Sequence, residues 1–450
     1  MGLAIARIDG RRQNVQEWLR QWRRGLSLEG ATITPRSQRL TERLFGEPLT
    51  PQQSVERICA DVERRGWEAV AYYSRALDDF ELTPDNLRVS EQELASARQR
   101  VEPHILDVMR QVHKTLMTFQ LGIVMHDARW QEGDGLELTV RYRPVRRVGL
   151  CIPGGAAAYP STLLMTACPA RAAGVPEIVA MAPPTARGAH NPIIQALCQE
   201  LGIRELYRLG GAHGVAALAY GVEGLPPVDM IVGPGNLYVT LAKKRVFGRV
   251  GIDVLAGPTE LVILADADAR PEWIAADLIA QAEHAPGACV LLTWSEKLWQ
   301  HMPRCLEEQL GYLPHSELAR DSLERFGALV LVSDADRAVD LANEIAAEHV
   351  QISAADAARL AQAVHHAGAI FLGYDTPVAV GDYVAGPSHV LPTGGTARFA
   401  SGLSANDFLR RSTLVRFTRD ELARRAPWIR TLADLEGLPG HARSVDIRLG

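Results

Sequence analysis

The rhythm of hydrophobic positions changes partway along the chain. Residues 1–50 are polar and rich in arginine, with one helical stretch at "VQEWLRQWRR". Residues 52–118 carry helix-period apolar spacing, from "QSVERICADVERRGWEAVAYYSRAL" through "SEQELASARQRVEPHILDVMRQVHKTL". Beyond them, short apolar runs alternate with longer amphipathic ones. "RRVGLCI" predicts a strand, "PGGAAAYP" a loop, "STLLMTACPARAAG" a helix and "EIVAMAPP" a strand. The same unit recurs in "ELYRLG", "GAHG", "VAALAYG" and again in "VDMIVG", "PGN", "LYVTLAKKRV". A second series begins at "ELVILAD", "PEWIAADLIAQAEH" and "CVLLT", and continues with "ALVLVS", "DRAVDLANEIAAEH", "VQIS", "AARLAQAVHHAG" and "AIFLG".

Strands alternating with helices predict parallel sheets covered on both faces, an α/β fold. The pattern divides the chain into an α/β unit over 130–258 and a second over 259–403, with the helical segment 51–129 grouped with the second. It leaves an N-terminal helical extension, 1–50, and a helical tail, 404–450, that closes on a short strand, "SVDIRL".

Composition narrows the function. The chain has 450 residues, of which 47% are hydrophobic and 22% charged, the balance of a soluble globular protein of two or three domains. A net charge of -5 offers nucleic acid no electrostatic footprint. Lysine occurs only at Lys114, Lys243, Lys244 and Lys297, so Schiff-base chemistry has few candidates, and no phosphate-loop motif is present. The apolar run at the start is too short for a signal peptide, and no run reaches the ~18 apolar residues a membrane span needs. The six cysteines (Cys59, Cys151, Cys168, Cys198, Cys289, Cys305) form no C-x-x-C pair, which fits a reducing cytoplasm and argues against a disulfide framework or a thiolate zinc site.

Four clusters carry candidate chemistry. Gln281 and His284 stand three apart before Pro286 and Gly287. Alone they read either as a polar helix end, where the dipole favours a cationic histidine, or as a pair of metal ligands. Glu348 and His349 in "AAEHVQIS" precede a buried strand, Asp382 and His389 lie in "GDYVAGPSHVLPTGG", and Glu436 and His441 in "LEGLPGHARS". Imidazole, carboxylate and amide oxygen suit zinc, and a Glu/His pair suits proton transfer. The glycine loops Gly154-Gly155, Gly210-Gly211 and Gly233-Pro234-Gly235-Asn236 fall at expected strand ends but match no G-x-G-x-x-G pattern. They read equally as tight turns or as part of a ligand crevice.

Taken together, "IPGG", "GPGN", "AGPTE", "QAEH", "EHVQI", "GDYVAGPSHVLPTGG" and "EGLPGHA" resemble, in order and over nearly the whole chain, the histidinol dehydrogenase family. The resemblance implies a domain-swapped homodimer of two incomplete Rossmann-like domains, working as a zinc- and NAD-dependent dehydrogenase on a small-molecule substrate, with no nucleic acid or membrane partner. It implies one zinc per active site on Gln281, His284, Asp382 and His441, the last from the other subunit. Glu348 and His349 become the acid–base pair. Thr259 in "AGPTE", where the family often has serine, His389 and Glu436 join the ligand residues as substrate contacts, with Glu436 crossing the dimer interface. Asn236, Cys151 and His213 occupy cofactor-contact positions, although Cys151 stands where tyrosine is usual and His213 where glutamine is usual. A relative with the same fold and zinc site, sulfopropanediol 3-dehydrogenase, is the alternative. An acidic Glu436 suits a cationic amine and repels a sulfonate.

Overall fold

The computed structural model describes residues 2–26, 35–155, 157–284 and 286–450. Among the described residues, fourteen strands form three sheets. In chain order they are β1 (Ala6–Asp9), β2 (Ala128–Glu132), β3 (Leu136–Pro144), β4 (Arg147–Cys151), β5 (Glu177–Ala182), β6 (Glu205–Arg208), β7 (Met230–Val232), β8 (Gly251–Ile252), β9 (Thr259–Ala265), β10 (Gly287–Thr293), β11 (Ala328–Leu331), β12 (His349–Ser353), β13 (Ala369–Leu372) and β14 (Leu409–Phe417). One parallel sheet runs β6-β5-β4-β7-β8 and the other β1-β11-β10-β9-β12-β13. From their first central strands, β4 and β9, both sheets wind two strands one way and then reverse. This is the doubly wound order, with a switch point between β4 and β7 and another between β9 and β12. The central strands are buried along their whole length, as strands covered on both faces must be. Among the described residues, no helix is long and apolar enough to cross a membrane.

The expected α/β architecture is therefore present, but four placements differ from the sequence reading. The helices of 51–123 pack on the five-stranded unit rather than with 259–403. Helix Pro51–Arg65 lies on helices Gly211–Tyr220 and Leu237–Val246, Glu91–Arg100 on Pro192–Glu200, and Pro103–Ile123 on Pro160–Ala172. Val55, Ile58, Cys59 and Val62 share one buried cluster with Val215, Leu218 and Val239. An apolar helix stripe demands a partner, but its spacing does not say which of two similar sheets supplies it.

The N-terminal extension is not all helical. Its first residues form β1, which pairs in parallel with β11 at the edge of the six-stranded sheet, and helix Val15–Leu26 sends Leu19 and Trp22 into that sheet's core. The tail opens not on a helix but on β14, which pairs antiparallel with β3, and β3 with β2, in an exposed third sheet. "SVDIRL" alternates like a strand but lies in helix Pro439–Leu449, where Pro439 pre-sets the first turn. This helix packs on helix Arg419–Leu435, with an Arg430–Asp446 ion pair between them.

Candidate active site

The doubly wound order places a site where strand order reverses, ordinarily beyond the carboxyl ends. In the six-stranded sheet the chemistry gathers at the amino ends instead. Thr259 opens β9, His349 opens β12, and Gln281 ends the helix that leads into β10. Parallel pairing sets His349 opposite Leu261, so Glu348 and Glu260 stand side by side just before that pair. Gly287 makes the third arrival possible. A Cβ there would lie 2.0 Å from the Gln281 carbonyl oxygen, so only glycine lets the strand start directly beneath the helix end. The helix stops at Ala282 and His284 lies beyond it, so Gln281 and His284 do not share a helical face; Gln281 is buried and His284 exposed.

Hydrogen bonds fix the arrangement. Glu348 accepts from the Thr259 hydroxyl and, at 3.1 Å, from the Glu260 backbone N–H. Thr259 Oγ1 in turn accepts from Gln281 Nε2 at 2.7 Å. His349 Nδ1 lies 3.2 Å from the Glu260 carbonyl oxygen. A carbonyl can only accept, so Nδ1 carries the proton and the lone pair of neutral His349 belongs to Nε2. His389 Nδ1 meets the Asp382 carbonyl in the same way at 3.2 Å.

Burial tunes these groups. It pushes the Glu348 carboxyl up to about 7, against the Thr259 and Glu260 hydrogen bonds and the nearby His284, with Asp382 raising it further. Burial also drives His349 down to about 4, opposed by the Asp382 charge and the Glu260 carbonyl and assisted by His284. His389 falls to about 4 mainly through burial, with Asp382 opposing and His284 and His349 assisting. These electrostatic influences place His284, Glu348, His349, Asp382 and His389 in one neighbourhood, although three separate segments of sequence supply them. A carboxyl near 7 can gain or lose a proton at neutral pH, and the imidazole beside it is kept neutral with its Nε2 lone pair free.

Glu436 and His441 do not join this neighbourhood within the chain. Both are exposed on the C-terminal helices, where His441 lines a shallow hollow with Gly437 to Gly440 and Ser444. Among the described residues, no group of three or more His, Cys, Asp or Glu is arranged to hold a metal in one chain. Gln281, His284 and Asp382 carry an amide, an imidazole and a carboxylate, donors of the nitrogen and oxygen type that suits zinc.

Two of the expected cofactor residues are core residues. Cys151 is 2% exposed, with its thiol pushed up to about 12 by burial, and His213 is fully buried with Nε2 3.2 Å from Asp78. His213 lies inside helix Gly211–Tyr220, because "GAHG" forms the first turn of that helix rather than a loop. Neither side chain is presented to a ligand in this structure. Both side chains are buried in the core, and sequence matching does not reveal that burial. Asn236 is exposed and caps helix Leu237–Val246, its Oδ1 accepting from the backbone N–H groups of Tyr238 and Val239. Packing also explains part of the glycine pattern: a Cβ on Gly154 would strike Gly188, and one on Gly210 would strike Pro183.

Sequence reasoning passed over Glu260. Its backbone holds both Glu348 and His349, and its own carboxyl is buried. Burial and the charge of Glu348 push that carboxyl up to about 8. The signal was available, since Glu260 is the one charged residue in the apolar run of β9. A cavity of about 550 Å³ lined by Trp22, Arg23, Lys244, Thr393 and others touches this neighbourhood through Glu260.

Comparison with known proteins decides the family. The family model described as histidinol dehydrogenase matches residues 47–449. The chain belongs to the histidinol dehydrogenase family. A histidinol dehydrogenase of Rhodopirellula baltica is 49% identical over 99% of this chain and 97% of its own length. One from a Synechococcus strain is 45% identical over 91% and 95%. The crystal structure of histidinol dehydrogenase from Elizabethkingia anophelis superposes with a TM-score of 0.89 at 28% identity, covering 100% of this chain and 99% of the other. The α/β architecture with parallel sheets is thus that of the histidinol dehydrogenase fold, and the chain is an oxidoreductase of that family.

Proposed function

We propose that this chain oxidises L-histidinol to L-histidine through L-histidinal, the last steps of histidine biosynthesis. The observation that carries the reading is the Glu348–His349 pair, buried together at the head of β12 with the Nε2 lone pair of His349 free, in a chain matched over 99% of its length by a histidinol dehydrogenase. One zinc per site would be held by Gln281, His284, Asp382 and His441 of a second copy. The metal supplies a positive centre that orients the substrate's imidazole and amine, and NAD accepts the hydrides.

This chain's own residues handle the protons. In the first half, His349 Nε2 removes the alcohol proton as a hydride leaves the carbinol carbon, giving the aldehyde. In the second, Glu348 takes a proton from water as the water oxygen adds to the aldehyde carbon, and protonated His349 returns its proton to the carbonyl oxygen, giving the diol and a neutral imidazole. His349 then removes a proton from the resulting diol as the second hydride leaves, giving the carboxylic acid, which ionises. Thr259, Gln281, His284, Asp382 and His389 would surround the substrate, and Glu436 of the second copy would meet its amine. On the cofactor side, the burial of Cys151 and His213 leaves Asn236 and the loop backbones after β4, β6 and β7 as the groups positioned to meet a dinucleotide.

The exposed position of His441 and Glu436 supports a homodimer with shared sites. The C-terminal module that carries them also exposes Val415, Trp428, Leu432, Leu435 and Ile447, apolar side chains that a partner subunit would cover. Six free, buried cysteines and the biosynthetic role fit the cytoplasm. The test is NADH absorbance with histidinol and with dihydroxypropanesulfonate. Two NADH per histidinol and none from the sulfonate support the reading. Turnover of the sulfonate alone overturns it.

A further inference from the structure

Thr259 sits between the proton-transfer pair and the residues expected to hold metal. Its hydroxyl donates to Glu348 Oε2, and its oxygen accepts from Gln281 Nε2 at 2.7 Å. A hydroxyl carries one proton. Once that proton goes to the Glu348 carboxylate, the threonine oxygen can only accept, and only the NH2 end of the Gln281 amide can meet it. The inverted amide would set oxygen against oxygen. Gln281 is 3% exposed, so water does not compensate an inverted amide there.

We infer that Thr259 is a positioning residue that fixes the orientation of the Gln281 amide, committing its nitrogen to the hydroxyl and leaving its oxygen as the end able to bind a cation. An amide coordinates through oxygen; its nitrogen has no basic lone pair to offer. The "AGPTE" hydroxyl thereby serves Glu348 and the metal ligand at once, with its single proton committed within the protein. The inference rests on the zinc reading above and adds a device that selects which atom of Gln281 becomes the ligand.

The test measures zinc release from the full-length protein to a chromophoric chelator, in wild type, Thr259→Val, Thr259→Ser, Gln281→Glu and Thr259→Val/Gln281→Glu, with circular dichroism to confirm folding. Lost supporting hydrogen bonds typically weaken metal affinity ~10–100-fold. Thr259→Val should release zinc faster by about that factor, and Thr259→Ser should behave as wild type. Both ends of a glutamate side chain are oxygen, so in the Gln281→Glu background Thr259→Val should cost little more. An equal loss in both backgrounds, or no loss in Thr259→Val, overturns the inference while leaving the zinc reading intact. A wild-type protein that binds no zinc overturns both.

Discussion

Replacing Glu348 by glutamine should make the zinc-free protein relatively more stable as pH rises while crippling half of its chemistry. Glu348 is 7% exposed, and its folded carboxyl is raised from 4.5 to about 7, chiefly by burial. A raised carboxyl means that the native state binds its proton more tightly than the unfolded chain. This contribution to stability is fully present below 4.5 and is lost as pH rises through 7. At ~1.4 kcal/mol per pH unit, the full loss is roughly 3 kcal/mol, of which ~2–3 kcal/mol falls between pH 5 and pH 8. Glutamine does not titrate. Its carbonyl oxygen can still accept from Thr259 and from the Glu260 N–H, and any fixed cost of burying its NH2 group is independent of pH. The assay is therefore a difference of differences: denaturant melts of chelator-treated wild type and Glu348→Gln at pH 5 and pH 8, at one protein concentration. The variant should gain ~2–3 kcal/mol on wild type across that interval. Its aldehyde oxidation should fall ~10²–10⁴-fold, with alcohol oxidation less affected. A stability difference that stays flat from pH 5 to pH 8 would show that Glu348 is ionised without penalty in the fold, and the reasoning from burial would fail.

Other outcomes can be checked on the same protein. His349→Asn should slow both half-reactions by ~10²–10⁴-fold while zinc stays bound, and an undiminished alcohol step would remove His349 as the base. Metal analysis should find about one zinc per chain, and a His284→Ala/His441→Ala double variant should lose it; a double variant that keeps its zinc contradicts the ligand set. Mixing His441→Ala chains with His349→Asn chains, each nearly inactive alone, should restore activity toward half of a normal dimer, because one site in each mixed dimer would carry neither lesion. Demonstrated subunit exchange without recovery would mean that the sites are not shared.

The sequence by itself determined the parts that depend on local rhythm. Short apolar runs between amphipathic ones specify buried parallel strands and their covering helices, and β4 to β13 lie where that alternation predicts them, apart from the two-residue β8. It also singled out Glu348, His349, Asp382, His284 and His389 as candidates, since they are unusual polar groups beside buried strands and Gly/Pro turns. Tertiary structure decided everything that depends on which surfaces meet. β2 and β14 are largely exposed and β3 is mostly half-buried, so they leave no buried period to read, and β14 pairs with β3 across more than 260 residues of sequence. The stripe on helices 51–123 promised a partner without naming the five-stranded unit. "SVDIRL" alternates like a strand, yet Pro439 and the neighbouring helix make it helical. Cys151 and His213 match cofactor positions in order along the chain, but their side chains point into a core. The roles of Glu260 and Thr259 arise from parallel register and hydrogen-bond direction. Those are relations between strands rather than properties of either one, and only the folded chain brings Leu261 opposite His349 and so sets Glu348 against Thr259.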